Sequence, residues 1–255
     1  NKQLLLNQAS TLEEAPGMVF FNASGFTKQN FIRVVTQEVW TNKAKVPAMT
    51  WYKAPIQKPV TQLKRSGQNV TWQHAADTVR YGVYAIPTDK RNDADVISSS
   101  KYYQGMSYTK SYTLDDSITT DKFTIAVTPI DRFGNEWAPA FLNEAVQNAV
   151  KPVLTFPSNN GSMMLPNTLE WQAVNNAVGY MVQVSDDATF KKILVQHQVV
   201  NPKMATKPFV DLSELKKYYW RVAALVPNAE TVWSDTWSFN GKPFSITAPA
   251  NGAEN

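Results

Sequence analysis

With 255 residues, 43% hydrophobic and 18% charged, the chain has an ordinary globular composition and room for one to three domains. The absence of cysteine excludes disulfides, thiolate metal sites and cysteine nucleophiles. The net charge of +4 comes from scattered basic residues in no run longer than two, a poor footprint for nucleic acid, and no apolar run of about 18 residues offers a membrane span.

The chain begins Asn1-Lys2-Gln3 without an initiator methionine, which reads as a fragment or processed piece. Gln3 to Glu14 carries scattered leucines and reads as a helix, ended by Pro16-Gly17. Met18-Val19-Phe20-Phe21 is a short continuous apolar run, the pattern of a buried strand. After the turn Asn22–Gly25, Phe26 to Trp40 has apolar residues at 31, 32, 34, 35, 39 and 40, a helical pattern with Thr27 as N-cap. Helix, buried strand, helix is an α/β period. So small a unit cannot cover both faces of its strand, so residues 1–51 are expected to be the terminal β/α segment of a larger domain. Trp51 to Pro59, with two prolines, reads as a semi-extended linker with few contacts.

The rest of the chain contains one segment twice. Val70-Thr71-Trp72-Gln73 leads through a short loop to Val79-Arg80-Tyr81-Gly82-Val83-Tyr84, and Leu169-Glu170-Trp171-Gln172 leads to Val178-Gly179-Tyr180-Met181-Val182-Gln183-Val184, with the same Trp-to-Tyr spacing. A self-match at this long period means two copies of one domain. The tryptophan ends a strand of one sheet, and the tyrosine opens a strand whose alternate residues face the core of a β-sandwich. The first sandwich is placed at 55–147, with strands at 59–64, 69–73, 80–86, 107–113 and 122–130, the last with 123, 125 and 127 inward. The polar stretch 87–105 reads as an exposed loop with a turn of helix near 94–98, and 139–149 as a connector or short helix. The second sandwich is placed at 150–242. In it Tyr218, Trp220, Val222 and Ala224 share one face, and Trp233 and Trp237 share another strand's inward face. The tail 243–255 is small and polar.

Candidate chemistry is sparse. Asn22 and Ser24 follow the short buried strand Met18–Phe21 and read first as turn residues. Glu13, Glu14 and Glu38 read as solvated helix faces. His74 and His197 fall in different domains and read as surface residues, so no catalytic triad or histidine metal site is expected. Asp115-Asp116 and Asp186-Asp187 lack calcium-loop spacing and read as turn caps. No catalytic residue, metal site or cofactor is therefore assigned. Aromatic rings stack on sugars, and Trp51 and Trp137 are the candidates for a carbohydrate surface; the alternative is that they seal interfaces between neighbouring domains. Trp233 and Tyr102-Tyr103 also fall in or near loops, whereas Trp72, Trp171 and Trp220 belong to cores.

The repeats resemble fibronectin type III domains. The second carries the pattern in Leu169-Glu170-Trp171, Val178-Gly179-Tyr180-Met181-Val182-Gln183-Val184, Tyr218-Tyr219-Trp220-Arg221-Val222 and Trp233-Ser234-Asp235-Thr236-Trp237-Ser238-Phe239; the first departs from it in the longer 87–105 loop. Pro16–Phe21 and Val46-Pro47-Ala48-Met49-Thr50-Trp51 resemble the end of the (β/α)₈ catalytic barrel of family-10-like glycosyl hydrolases of bacterial lipoproteins, in which such sandwiches follow the barrel. The resemblance implies a mainly β chain of two sandwiches behind a barrel end. It further implies a non-catalytic accessory role as spacer or scaffold, an upstream barrel with the catalytic carboxylates as partner, polysaccharide as a further partner, and export to the periplasm or outer cell surface. The alternative is a stand-alone adhesion or protein-interaction module.

Overall fold

The computed structural model describes Arg33, Thr36, Gln37 and residues 42–49, 52, 55–75, 80–93, 95–206 and 216–242. The chain divides into two compact units, Asn1–Pro47 and Ala48–Asn255. The expected helix–strand–helix of the first fifty residues, the barrel resemblance that rests on it, Trp51 and the tail 243–255 lie almost wholly outside the described residues.

The second unit is mainly β. Its first half contains β1 (Thr61–Ser66), β2 (Asn69–Gln73), β3 (Arg80–Pro87), β4 (Tyr103–Ser107), β5 (Ser111–Thr113), β6 (Phe123–Ile130) and β7 (Ala140–Phe141). These form a three-stranded sheet, β1-β2-β5, facing a four-stranded sheet, β4-β3-β6-β7. Its second half contains β8 (Leu154–Phe156), β9 (Gly161–Met164), β10 (Thr168–Trp171), β11 (Tyr180–Ser185), β12 (Ile193–Val199), β13 (Lys203–Ala205), β14 (Lys217–Ala224) and β15 (Trp237–Lys242). Here the sheets run β13-β10-β8 and β12-β11-β14-β15-β9. Strand pairing is antiparallel except where β9 joins β15.

Each sandwich closes on the repeated aromatic pair. Trp72 and Tyr81 meet edge to face at 5.1 Å and 66°, and Trp171 and Tyr180 at 5.3 Å and 66°. Around the first pair pack Val70, Val83, Ile125 and Val127, and around the second Leu169, Val182, Trp220 and Val222. A one-residue slip of either tyrosine strand would turn this set outward, so the pair fixes register.

A third apolar cluster lies outside both cores. Tyr84, Ile86, Ala126, Trp137 and Phe141 of the first sandwich pack with Val178, Met181, Ala223 and Leu225 of the second. This is why β3 and β11 are buried nearly end to end. In β3, Tyr81, Val83 and Ala85 serve the sandwich's own core and Tyr84 and Ile86 the junction; in β11, Tyr180, Val182 and Val184 serve the core and Met181 the junction.

Several sequence expectations are corrected here. The 87–105 loop is not merely exposed: Val96 and Ile97 are fully buried in the junction, and its regular pieces are 3-10 turns at Thr88–Lys90 and Ser100–Tyr102. The strand expected at 107–113 is broken in two: β4 ends at Ser107 in the four-stranded sheet and β5 begins at Ser111 in the three-stranded one, with the Ser107 hydroxyl donating to Ser111 O at 2.7 Å where the chain crosses between them. Trp233 and Trp237 do not share a face. Trp237 meets Trp220 at 6.5 Å beside the second core, whereas Trp233 precedes the strand and meets Trp137 at 6.5 Å in the junction. The linker, expected to make few contacts, is tied down: Tyr52 stacks on Phe133 at 4.8 Å and Ile56 packs against the junction, and just before it Met49 N donates to Phe133 O at 2.7 Å.

Candidate functional site

The junction positions most of the polar and aromatic side chains with unusual surroundings. After β6 the chain turns at Asp131, whose Oδ1 accepts from the backbone of Phe133 and Asn135 and whose Oδ2 accepts from Trp137 Nε1 at 3.2 Å. Trp137 meets Trp233 edge to face, and the Arg221 guanidinium sits 4.5 Å from the Trp233 ring and 4.1 Å from Phe190. Arg221 also donates to Gln183 Oε1 through Nε and a terminal nitrogen, at 2.9 and 2.7 Å. A stacked row thus runs from Phe190 of the second sandwich to Asp131 of the first. Each cation–π contact at such a partly desolvated site contributes on the order of 1 kcal/mol.

Beside that row, Glu136 Oε1 accepts from the hydroxyls of Tyr84, at 2.5 Å, and Thr128. Burial, then the neighbouring Glu136 carboxylate, holds the Tyr84 hydroxyl well above its ordinary pKa, and burial followed by the same charge pushes Tyr103 up to about 12. Asp131 and Glu136 are the two buried carboxylates among the described residues, and both are held by protein donors. They accept from donors on neighbouring strands and loops and so brace them.

Of the two expected sugar-stacking residues, Trp51 lies outside the described residues. Trp137 is 0% exposed, so neither ring face is open to a sugar; it sits between the sandwiches instead. Tyr102 and Tyr103 are buried too. His74 is not on the surface: it is 9% exposed, with Nε2 2.9 Å from Lys58 O and Nδ1 3.3 Å from the Tyr81 hydroxyl. His197 is half-buried on β12, and desolvation lowers its pKa. The aspartate pairs behave as turn caps. Asp115 accepts from Ser117 N, and Asp187 from the Thr189 hydroxyl, Thr189 N and Lys191 N; the hydroxyl first, then the backbone donors, hold Asp187 down to about 2. No group of three or more metal-ligating side chains occurs among the described residues.

Sequence reasoning did not foresee a groove of about 340 Å³ on the first sandwich. One wall is the start of β1, with Thr61, Gln62 and Leu63, and the other is Phe141 to Val146 after β7. Asn228 and Glu230 of the second sandwich also line it. The sequence signals were Val146, an apolar residue in a polar connector, and the asymmetry between the two repeats.

No protein-family model matches the chain, and no curated protein matches it in sequence. Among solved structures, the chain is similar to the crystal structure of chicken CNTN1 FN1-FN3 domains, at 15% identity and TM-score 0.33, over 77% of this chain and 69% of that one. It is also similar to the sixth fibronectin type III domain of human fibronectin type III domain containing protein 3, at 16% identity and TM-score 0.29, over 44% of this chain and 97% of that one.

Proposed function

We propose that the paired sandwiches act as one rigid, non-catalytic accessory body, a spacer or scaffold, of an exported glycosyl-hydrolase-like protein of the periplasm or outer cell surface. The observation that carries the rigid-body part is the apolar cluster to which both sandwiches contribute fully buried residues. Linked domains whose interface is small and polar move independently, whereas a shared apolar core holds one geometry. The glycosyl-hydrolase association rests on the resemblance of Pro16–Phe21 and Val46–Trp51 to a barrel end, and the exported location on the same resemblance.

The test of rigidity is ¹⁵N relaxation of the chain. One rotational correlation time for both sandwiches is expected, with separate times after Met181→Asp, which puts a charge into the junction. Separate times in the unaltered chain would overturn the reading. Assay of the protein that contains the upstream barrel, with and without residues 55–242, tests the accessory role: catalysis is expected to persist on soluble substrate and to fall on insoluble polysaccharide. Cell fractionation tests the location. A second reading, a protein-interaction module, is favoured by the open groove on the first sandwich.

A further inference from the structure

We propose that the open seam between β1 and β7 is a docking groove for an extended, uncharged peptide strand of a partner protein, which adds to the outer edge of β1, unpaired among the described residues. The internal repeat says what fits there. In the second sandwich the corresponding seam, between β8 and β15, is filled by β9, which pairs with β15 from Phe239↔Gly161 to Lys242↔Met164. It inserts Met163, 2% exposed, into the core. In the first sandwich β1 instead turns straight into β2 and stays paired with it, and among the described residues no strand lies beyond β7.

The groove selects its occupant. The outward main-chain groups of Phe141 in β7 are already taken by the Asn228 side chain, which leaves the β1 edge as the template. The β1–β2 register shifts between Thr61 and Lys64, and Gln62 has φ 51°, so one residue of this stretch stands outside the ladder beside the groove. Apolar surface is supplied by the half-buried Leu63 and by Val146, which is 84% exposed. The two acidic side chains of the lining are neutralised, Glu230 by Lys58 at 2.7 Å and Glu144 by Arg91. A free strand edge, an apolar contact and no unpaired charge together describe β-augmentation, in which main-chain hydrogen bonds supply affinity and alternate side chains supply selectivity. The inference goes beyond the rigid-body reading and stands without it.

The probe is the synthetic peptide Asn-Asn-Gly-Ser-Met-Met-Leu, the sequence of residues 159–165 that fills the corresponding seam, titrated into the ¹⁵N-labelled full chain. Saturable shift changes at 58–63 and 140–146 are expected, weakened at least about tenfold in Val146→Glu, a change at an exposed position that the fold tolerates. Tyr108→Glu, at a 75% exposed position outside the groove lining, is expected to bind as the unaltered chain does. Four results would overturn the proposal. They are no saturable binding up to about 1 mM peptide, equal binding by Val146→Glu, shifts centred on β15 through exchange with β9, and the same groove shifts on concentrating the chain alone, which would make the occupant a second copy.

Discussion

Asn228 of the second sandwich pairs with the main chain of Phe141 as a neighbouring strand would: Phe141 N donates to Asn228 Oδ1 at 2.9 Å, and Asn228 Nδ2 donates back to Phe141 O at 3.4 Å. Asn228 N also donates to Pro139 O at 2.8 Å, and Gln147 N donates to Asn228 O at 3.0 Å. One residue thus caps the exposed edge of β7 and ties the returning connector to its own loop. Uncapped edges invite pairing with other chains. Asn228 has φ 57°, which glycine adopts freely, so Asn228→Gly removes the amide without straining the backbone. It is expected to cost about 1–3 kcal/mol in urea denaturation, the cost of leaving a part-buried donor unpaired. Asn143→Gly, at φ 63° and without that contact, is expected to be close to neutral.

Trp137 separates the sugar-stacking expectation from the observed packing. It fills the junction with 0% exposure and donates to Asp131. Trp137→Ala is expected to destabilise by about 3–5 kcal/mol, as a large aromatic cavity does. Its unfolding is expected to split into two transitions, because the cluster joining the sandwiches is lost. Full stability with lost glycan binding would contradict the packing.

The cores were legible in the sequence because Trp72 with Tyr81 and Trp171 with Tyr180 repeat one spacing, and because the alternation in Tyr218–Ala224 fixed an inward face. The junction was not. Period-two reading gives each strand one buried face, yet Tyr84, Ile86 and Met181 lie on the opposite face and are buried as well. The signal was the near-continuous apolar run Tyr81–Ile86, the mark of a strand covered on both sides. Val96-Ile97 inside a polar loop was a second signal. Which of Trp137, Trp233 and Tyr102 would be covered depended on contacts between elements far apart in the chain, which local patterning does not encode.

Gly82 lies where β3 faces the buried Glu136. A Cβ there would stand 2.7 Å from Thr128 Oγ1 and 2.8 Å from Glu136 Oε1. Both oxygens are fixed by the hydrogen bond between them. Gly82→Ala is therefore expected to destabilise by about 1–3 kcal/mol, the range for overpacking, rather than to gain from reduced chain entropy. Gly67→Ala, by contrast, meets no atom within 4 Å, but its φ of 59° strains the new side chain, so it is a control for backbone effects alone.

At alkaline pH the same cluster sets a limit. Tyr103 is raised to about 12, and Tyr84 is raised well above 10.0. A raised folded pKa means that the contribution to stability is intact below the unfolded value and is lost as pH rises through the folded one. Stability is expected to decline from the ordinary tyrosine pKa of 10.0 through about 12. Phenolate absorbance of these two residues is expected only as the fold opens. Tyr103→Phe should flatten the decline, and an early phenolate signal from the native protein would contradict the burial.

On the acid side the sensitive group is His197. It lies opposite Val182 on the edge strand β12, and desolvation lowers its pKa from 6.5. The unfolded chain therefore takes up the proton more readily than the folded one. Stability present above 6.5 is lost as pH falls from that value through the lower folded pKa. Denaturant midpoints at about pH 7.5 and about pH 5.5, on the unaltered chain and on His197→Gln, isolate this residue from His74 and the carboxylates, which both proteins share. The unaltered chain is expected to lose more stability between the two conditions than the variant. An equal loss in both would mean that His197 is solvated in the folded protein and that the edge of β12 is more open than its packing indicates.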